Sequence, residues 1–165
     1  MLSQTVEYAL RAVVQLAAIS PSASTTAELA VVTQVPPAYL VKVLQALVRA
    51  GVVTSQRGAS GGVTLAQPAN KLTILDIVNT TDPIQRIRTC PLDLVTHGTK
   101  LCPLHRRLDA ALAQVESAFR STTLAEVIGD PSKIKPLCET KEMRVSTTTR
   151  RPPKKKRAAS SKGDA

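Results

Sequence analysis

The sequence predicts a mainly α-helical fold: a winged helix-turn-helix domain, a long C-terminal dimerisation helix and a disordered basic tail. Apolar residues recur at helical spacing through the first 50 residues, and two short β-forming runs flank a glycine-rich segment after them. Aromatic residues make up only 2% of the 165 residues, so Leu, Val, Ile and Ala must fill the core. Close-packed helices suit such a core.

Two helices are predicted before the recognition helix. The first spans residues 3–19, with Ser3 as its N-cap, and ends at the Ser20-Pro21 pair. The second begins around residues 24–26, where Thr25 and Glu28 have the spacing of a capping box.

The third helix is predicted from residue 37 to residue 50, because prolines favour a first turn and Gly51 favours a helix end. The β-forming runs 52–54 and 63–65 follow it as a hairpin with a glycine-rich tip at 57–62. The apolar stripe of the helix is Leu40, Val43, Leu44, Leu47 and Val48.

The second half of the chain is predicted to hold helices at 72–80, 102–120 and 122–128. The longest is apolar on one side only, which is typical of a helix that packs against its copy in a homodimer. Its stripe is Leu104, Leu108, Leu112, Val115 and Phe119. The predicted domains are a winged helix-turn-helix unit (1–68), a sensor loop with the dimerisation helix (69–138) and a disordered basic tail (139–165).

The net charge of +10 is concentrated at the C-terminus, where residues 141–165 carry +7. Such a segment cannot bury a core and would be attracted to polyanions. It is either a nonspecific DNA anchor or a solvated end with no role. No apolar run approaches the roughly 18 residues of a membrane span, and the N-terminus lacks the pattern of a secretory signal. We therefore expect a cytoplasmic protein.

The predicted recognition helix and wing carry candidate contacts to double-stranded DNA. Polar and basic side chains on the outer helix face suit phosphates and base edges, and tip glycines let backbone N–H groups approach a phosphate. The alternative is a winged-helix adaptor that binds protein instead. The candidate DNA-binding residues are Tyr39, Lys42, Arg49, Arg57, Ser60 and Gly61.

The sequence resembles the Rrf2 family of bacterial transcriptional regulators, of the iron–sulfur cluster regulator and nitric-oxide-sensitive repressor type. The resemblance covers about residues 1–130 and lies in EYALRA (7–12), YLVKVLQALVRAGVV (39–53), RGASGGVTLA (57–66) and TLAEVI (123–128). It implies a dimeric winged-helix repressor or activator, and we expect a repressor. Val41 stands where the cluster regulator has an acidic residue, so that regulator's base preference does not carry over.

Two Cys-Pro pairs flank the predicted loop before the long helix. Cys90 and Cys102 are thiolate donors of the kind that hold iron–sulfur clusters, and His105 lies one helical turn after Cys102. Cys102 is predicted at the N-cap, where the helix dipole favours a thiolate.

The resemblance implies a metal site with the spacing C-x5-C-x5-C-x2-H and a 2Fe–2S cluster as cofactor. Cys90, Cys102 and His105 match its first, third and fourth positions, whereas the middle position is Thr96, which is no cluster ligand. His97 or Cys138 would replace it, or the site has changed chemistry. Glu7 matches an acidic ligand that some members recruit from the partner subunit.

Three interpretations of this loop stay open: a redox or nitric-oxide sensor with a cluster, a sensor that forms a Cys90–Cys102 disulfide, and structural thiols. A thiol enzyme using Cys102 and His105 as nucleophile and base is a fourth possibility. Because their spacing on one helix rarely aligns such a pair, we predict that the protein is not an enzyme.

Overall fold

The computed structural model describes residues 2–58, 61–90 and 101–131. The predictions for Ser60, His97, Cys138, most of the sensor loop and the basic tail lie outside these ranges. In chain order the elements are α1 (Gln4–Ile19), α2 (Thr26–Thr33), α3 (Pro37–Arg49), β1 (Val53–Gln56), β2 (Gly62–Leu65), α4 (Ile74–Thr81), α5 (Pro103–Ser121) and α6 (Leu124–Ile128). The predicted order of three helices, a hairpin and further helices is confirmed.

Capping residues set several helix starts. The predicted box at the start of α2 is present, since the Thr25 hydroxyl accepts from the Glu28 N–H and the Glu28 carboxylate accepts from the Thr25 N–H. Thr73 and Asp76 form the same box at α4, so this helix begins two residues later than predicted. Side chains thus satisfy backbone N–H groups that a helix start leaves unpaired.

The turn between α2 and α3 gives the helix-turn-helix its angle. Gln34 follows α2 in the left-handed conformation (φ 55°), and Pro37 opens α3. The two helices are bent by 113° relative to each other, which lies within the usual range for this motif. Gly51 follows α3 with φ +69°, a conformation that glycine adopts without strain.

β1 and β2 form the antiparallel hairpin that we call the wing (residues 53–65), with Val53 opposite Leu65 and Gln56 opposite Gly62. The wing is also paired with the segment before α2. The Ser24 N–H donates to the Val63 carbonyl at 3.1 Å, and the Val63 N–H donates back to the Ser24 carbonyl at 2.8 Å.

One cluster of buried side chains joins α1, α2 and α3 with the wing, α4 and α6. Leu40 and Leu47 of α3 are fully buried in it, as are Ile77 of α4 and Leu124 of α6. The core therefore continues across the predicted domain boundary at residue 68.

Two of the apolar stripes predicted from the sequence contain residues that are exposed in the structure. Val48, predicted in the buried stripe of α3, is 40% exposed, because it lies toward the wing at the edge of the helix's inner face. In α5 no residue is buried, and Leu104, Leu108 and Val115 are 64%, 47% and 41% exposed.

No single helix in the described ranges combines the length and apolarity needed to cross a membrane, and α2 with α3 passes that test only as the bent pair.

Candidate nucleic-acid interface and cysteine segment

The outer face of α3 is held toward solvent by its buried inner face. Leu40, Val43, Leu44 and Leu47 anchor the helix in the core, which leaves Tyr39, Lys42 and Arg49 exposed. Tyr39, 58% exposed, is steadied by a tilted ring contact with Tyr8 of α1, at a centroid distance of 6.2 Å. The structure thus brings three predicted DNA-binding residues onto one accessible surface.

The basic side chains near this face have no carboxylate partner among the described residues. Within the described ranges, Lys42, Arg49 and Arg57 form no ion pair, a property that they share with Lys71, Arg88, Arg106 and Arg107, whereas Arg11, Arg86 and Arg120 each pair with a carboxylate. The sequence from residue 29 to residue 75 contains four basic residues and no acidic one. Exposed cations in a stretch of sequence without acidic residues attract a polyanion.

A groove of about 440 Å³ separates α3 from the wing, and we call it the α3–wing groove. Arg49 and Arg57 both line it. Sequence reasoning missed three polar residues that also line it, Thr26, Gln45 and Ser55. Gln45 had a usable signal, since it lies three residues after Lys42 and four before Arg49 on the same face.

Gly61 is required by the tight turn at the wing tip. Its N–H donates to the Gly58 carbonyl at 2.9 Å, and a Cβ at residue 61 would lie 2.8 Å from the Arg57 carbonyl carbon. The backbone of the tip therefore packs more closely than any side chain would allow. The adjoining Ser60 lies outside the described residues.

The structure brings Cys102 and His105 together at the start of α5. Cys102 is the N-cap as predicted, although its side chain makes no capping hydrogen bond, and its Sγ lies 3.3 Å from His105 Nδ1. Cys90 is buried, 4% exposed, at the end of the segment after α4. The described residues of one chain contain no group of three His, Cys, Asp or Glu that could hold a metal ion.

Glu7, predicted as a ligand supplied by the partner subunit, has a partner within its own chain. Its Oε1 accepts from Arg11 Nε at 3.0 Å, and Arg11 Nη1 donates to the Thr33 carbonyl at 3.4 Å. Glu7 is therefore connected to the end of α2 through one arginine.

A second feature missed by sequence reasoning fixes the segment before Cys90. Arg86 donates to both carboxylate oxygens of Asp109 at 2.7 Å and to Glu116 at 3.2 Å, and the Ile87 N–H donates to Asp109 at 2.9 Å. The hydrogen bonds that Arg86 donates hold the pKa of the Asp109 carboxyl below its usual value, and the same bonds, accepted by Asp109 and Glu116, raise the pKa of Arg86. This bidentate clamp attaches the cysteine-bearing segment to α5.

A model of the Rrf2 family, described as an iron-dependent transcriptional regulator, matches residues 2–130. The chain belongs to the Rrf2 family. The resemblance predicted from its helix and wing motifs is confirmed.

Relatives and solved structures agree with this assignment to the Rrf2 family. A protein of Mycobacterium tuberculosis, named as an HTH-type transcriptional regulator, is 36% identical over 153 residues, which cover 88% of this chain and 93% of that protein. The structure of CymR, the global cysteine regulator of B. subtilis, has a TM-score of 0.65 at 25% identity and covers 77% and 95% of the two chains. IscR of T. potens has the same TM-score at 21% identity, covering 80% and 88%, and supports the fold alone.

Membership of the Rrf2 family confirms the winged-helix fold class and a transcriptional regulator with a DNA-binding fold. The relatives are regulators rather than enzymes, which agrees with the prediction against a thiol enzyme. The ligand set, the cofactor and the DNA-contacting residues stay predictions.

Proposed function

We propose that this Rrf2-family regulator acts in the cytoplasm as a homodimeric repressor that binds a two-fold operator through α3 and the wing. The observation that supports it is the surface beside the glycine-tipped wing, where Lys42, Arg49 and Arg57 lie exposed and have no ion-pair partner among the described residues. Cations of this kind neutralise DNA phosphates, and α3 has the width that a major groove accepts. Tyr39, Gly61 and Ser60 complete the proposed contact set.

The test compares two double variants on duplex DNA selected by the full chain from a random library. Lys42→Ala with Arg57→Ala should weaken binding by about 2–4 kcal/mol. It should also reduce the slope of the logarithm of the binding constant against the logarithm of the salt concentration by the amount that corresponds to about two phosphate contacts. Lys71→Ala with Arg106→Ala removes the same charges from exposed positions outside the α3–wing groove. Equal affinity of both double variants would instead favour a protein-binding adaptor.

The homodimer is proposed from the exposed apolar side of α5. Leu104, Leu108 and Val115 recur at helical spacing and leave a large apolar surface on a helix with no buried residue. In a symmetric dimer the same stripe on two copies buries itself. Two recognition helices would then face two half-sites of the operator.

The signal is proposed to enter at the cysteines. Cys102 lies at the start of α5 beside His105, and the Arg86 clamp holds the segment that ends at Cys90 against the same helix. A change of state at Cys90 or Cys102 would therefore act directly on α5. Either an iron–sulfur cluster, for which Glu7 of the partner and His97 are further candidate ligands, or thiol oxidation would supply that change.

Iron and sulfide analysis after anaerobic purification separates the two forms of this sensor. With a cluster, the protein contains both elements, and Cys90→Ala loses them. With thiol oxidation, the protein is iron-free, and diamide converts the Cys90 and Cys102 thiols to one disulfide as the diazene is reduced. An iron-free protein whose DNA affinity is unchanged by diamide would contradict sensing at these residues.

A further inference from the structure

The row on α3 that faces the wing contains the helix's one side-chain amide. Val41, Gln45 and Val48 lie at positions i, i+4 and i+7, which places them on one line along the helix. All three side chains are exposed, and all three line the α3–wing groove. Gln45 thus lies between two exposed valines on the surface that we propose faces DNA.

The Gln45 amide is available for an external partner. Within the described part of the chain it makes no hydrogen bond, and its row neighbours Val41 and Val48 can offer none. The nearby cations, Lys42 and Arg49, also lack an ion-pair partner there and suit phosphates or guanine. Gln45 is therefore the group in this row that can donate and accept at once.

The two possible base pairs differ in what they offer such a row. Adenine presents an N7 acceptor and an N6 donor in the major groove, which one glutamine amide matches with two hydrogen bonds, and its thymine partner presents a methyl group. A G·C pair presents no methyl group, and its guanine edge offers acceptors alone. An amide flanked by exposed valines matches the A·T pair in both respects.

We infer that Gln45 determines base specificity by recognising the adenine of an A·T pair in each operator half-site, with a neighbouring valine against the thymine methyl. The inference rests on the proposed binding of DNA by α3. It gives the amide a role distinct from the cations, which supply affinity for any sequence.

The experiment uses the full chain and the duplex that it selects from a random library. Single adenines are replaced by 7-deazaadenine, which keeps base pairing but lacks the N7 acceptor. At one adenine in each half-site this change should weaken binding by the wild type about 5- to 150-fold. Gln45→Ala should bind both duplexes equally, whereas Gln114→Ala, which removes an exposed amide from α5, should discriminate like the wild type.

The inference is overturned if Gln45→Ala still discriminates like the wild type, or if no adenine in the selected duplex is sensitive to loss of N7. In both cases duplex binding that depends on Lys42 and Arg57 would leave the proposed function standing. A wild type that retains no duplex in the selection would overturn the proposed function as well. The two failures are therefore distinguishable.

Discussion

Replacing Leu108 by glutamate tests the homodimer at the centre of the α5 stripe. Leu108 lies one turn from Leu104 and two turns from Val115, and 47% of it is exposed in the single chain. Burial of that exposed part in a dimer is worth about 1 kcal/mol, since a whole leucine contributes about 1.5–3 kcal/mol. Two-fold symmetry repeats the change in both subunits, so about 2 kcal/mol is lost.

The introduced carboxylate adds a desolvation cost to the lost burial, because the partner's stripe offers it apolar contacts only. The dimer should therefore dissociate at least about 30-fold more readily than the wild type. Sedimentation velocity across a dilution series measures this shift directly. Circular dichroism of the same samples shows whether the helices are retained.

Ala110→Glu is the matched control, because it introduces the same charge at an exposed position on the opposite side of α5. It should sediment like the wild type. If Leu108→Glu is as dimeric as Ala110→Glu, or if the wild type is monomeric at every concentration, the proposed dimer face is wrong.

Three further outcomes are expected. Gly61→Ala should weaken DNA binding several-fold, because the new Cβ would collide with the Arg57 carbonyl carbon and distort the wing tip. A fluorescence anisotropy titration measures the affinity, and an unchanged value would contradict the close backbone packing at the tip. Asp109→Asn should lower the melting temperature at neutral pH. Because Arg86 lowers the pKa of Asp109, its contribution is complete above the carboxyl's ordinary pKa of about 4 and disappears as pH falls through the lower folded value. The melting temperatures of the variant and the wild type should then converge at acid pH. A difference in melting temperature that does not change with pH would refute the ion pair between Arg86 and Asp109. Leu47→Ala should cost about 2–5 kcal/mol in urea unfolding, since Leu47 is fully buried in the core, and a loss well below this range would count against that burial.

The elements that sequence reasoning located best are those set by neighbouring residues. Thr25 and Glu28 define the start of α2, and Gly51 closes α3, because capping depends on side chains within a few positions. The same logic was available at Thr73 and Asp76, where the apolar pattern alone placed the start of α4 too early.

Long-range features were out of reach of such patterns. Arg86 and Asp109 are 23 residues apart, and nothing in their local sequence marks them as partners. The exposure of Val48 likewise depends on where the wing lies, which the spacing of apolar residues in one helix does not encode. Gln45 was accessible from spacing but was overlooked beside the charged residues of its face.

The paired hydrogen bonds between Ser24 and Val63 have a mechanical consequence for regulation. They place β2 between β1 and the segment that precedes α2, so the wing is attached to the helix-turn-helix and cannot move independently of it. A signal that acts on α5 would therefore move the helix-turn-helix and the wing of each subunit together, as one rigid unit. Regulation of DNA binding would then change the distance between these rigid units in the two subunits and leave the conformation of each unit unchanged.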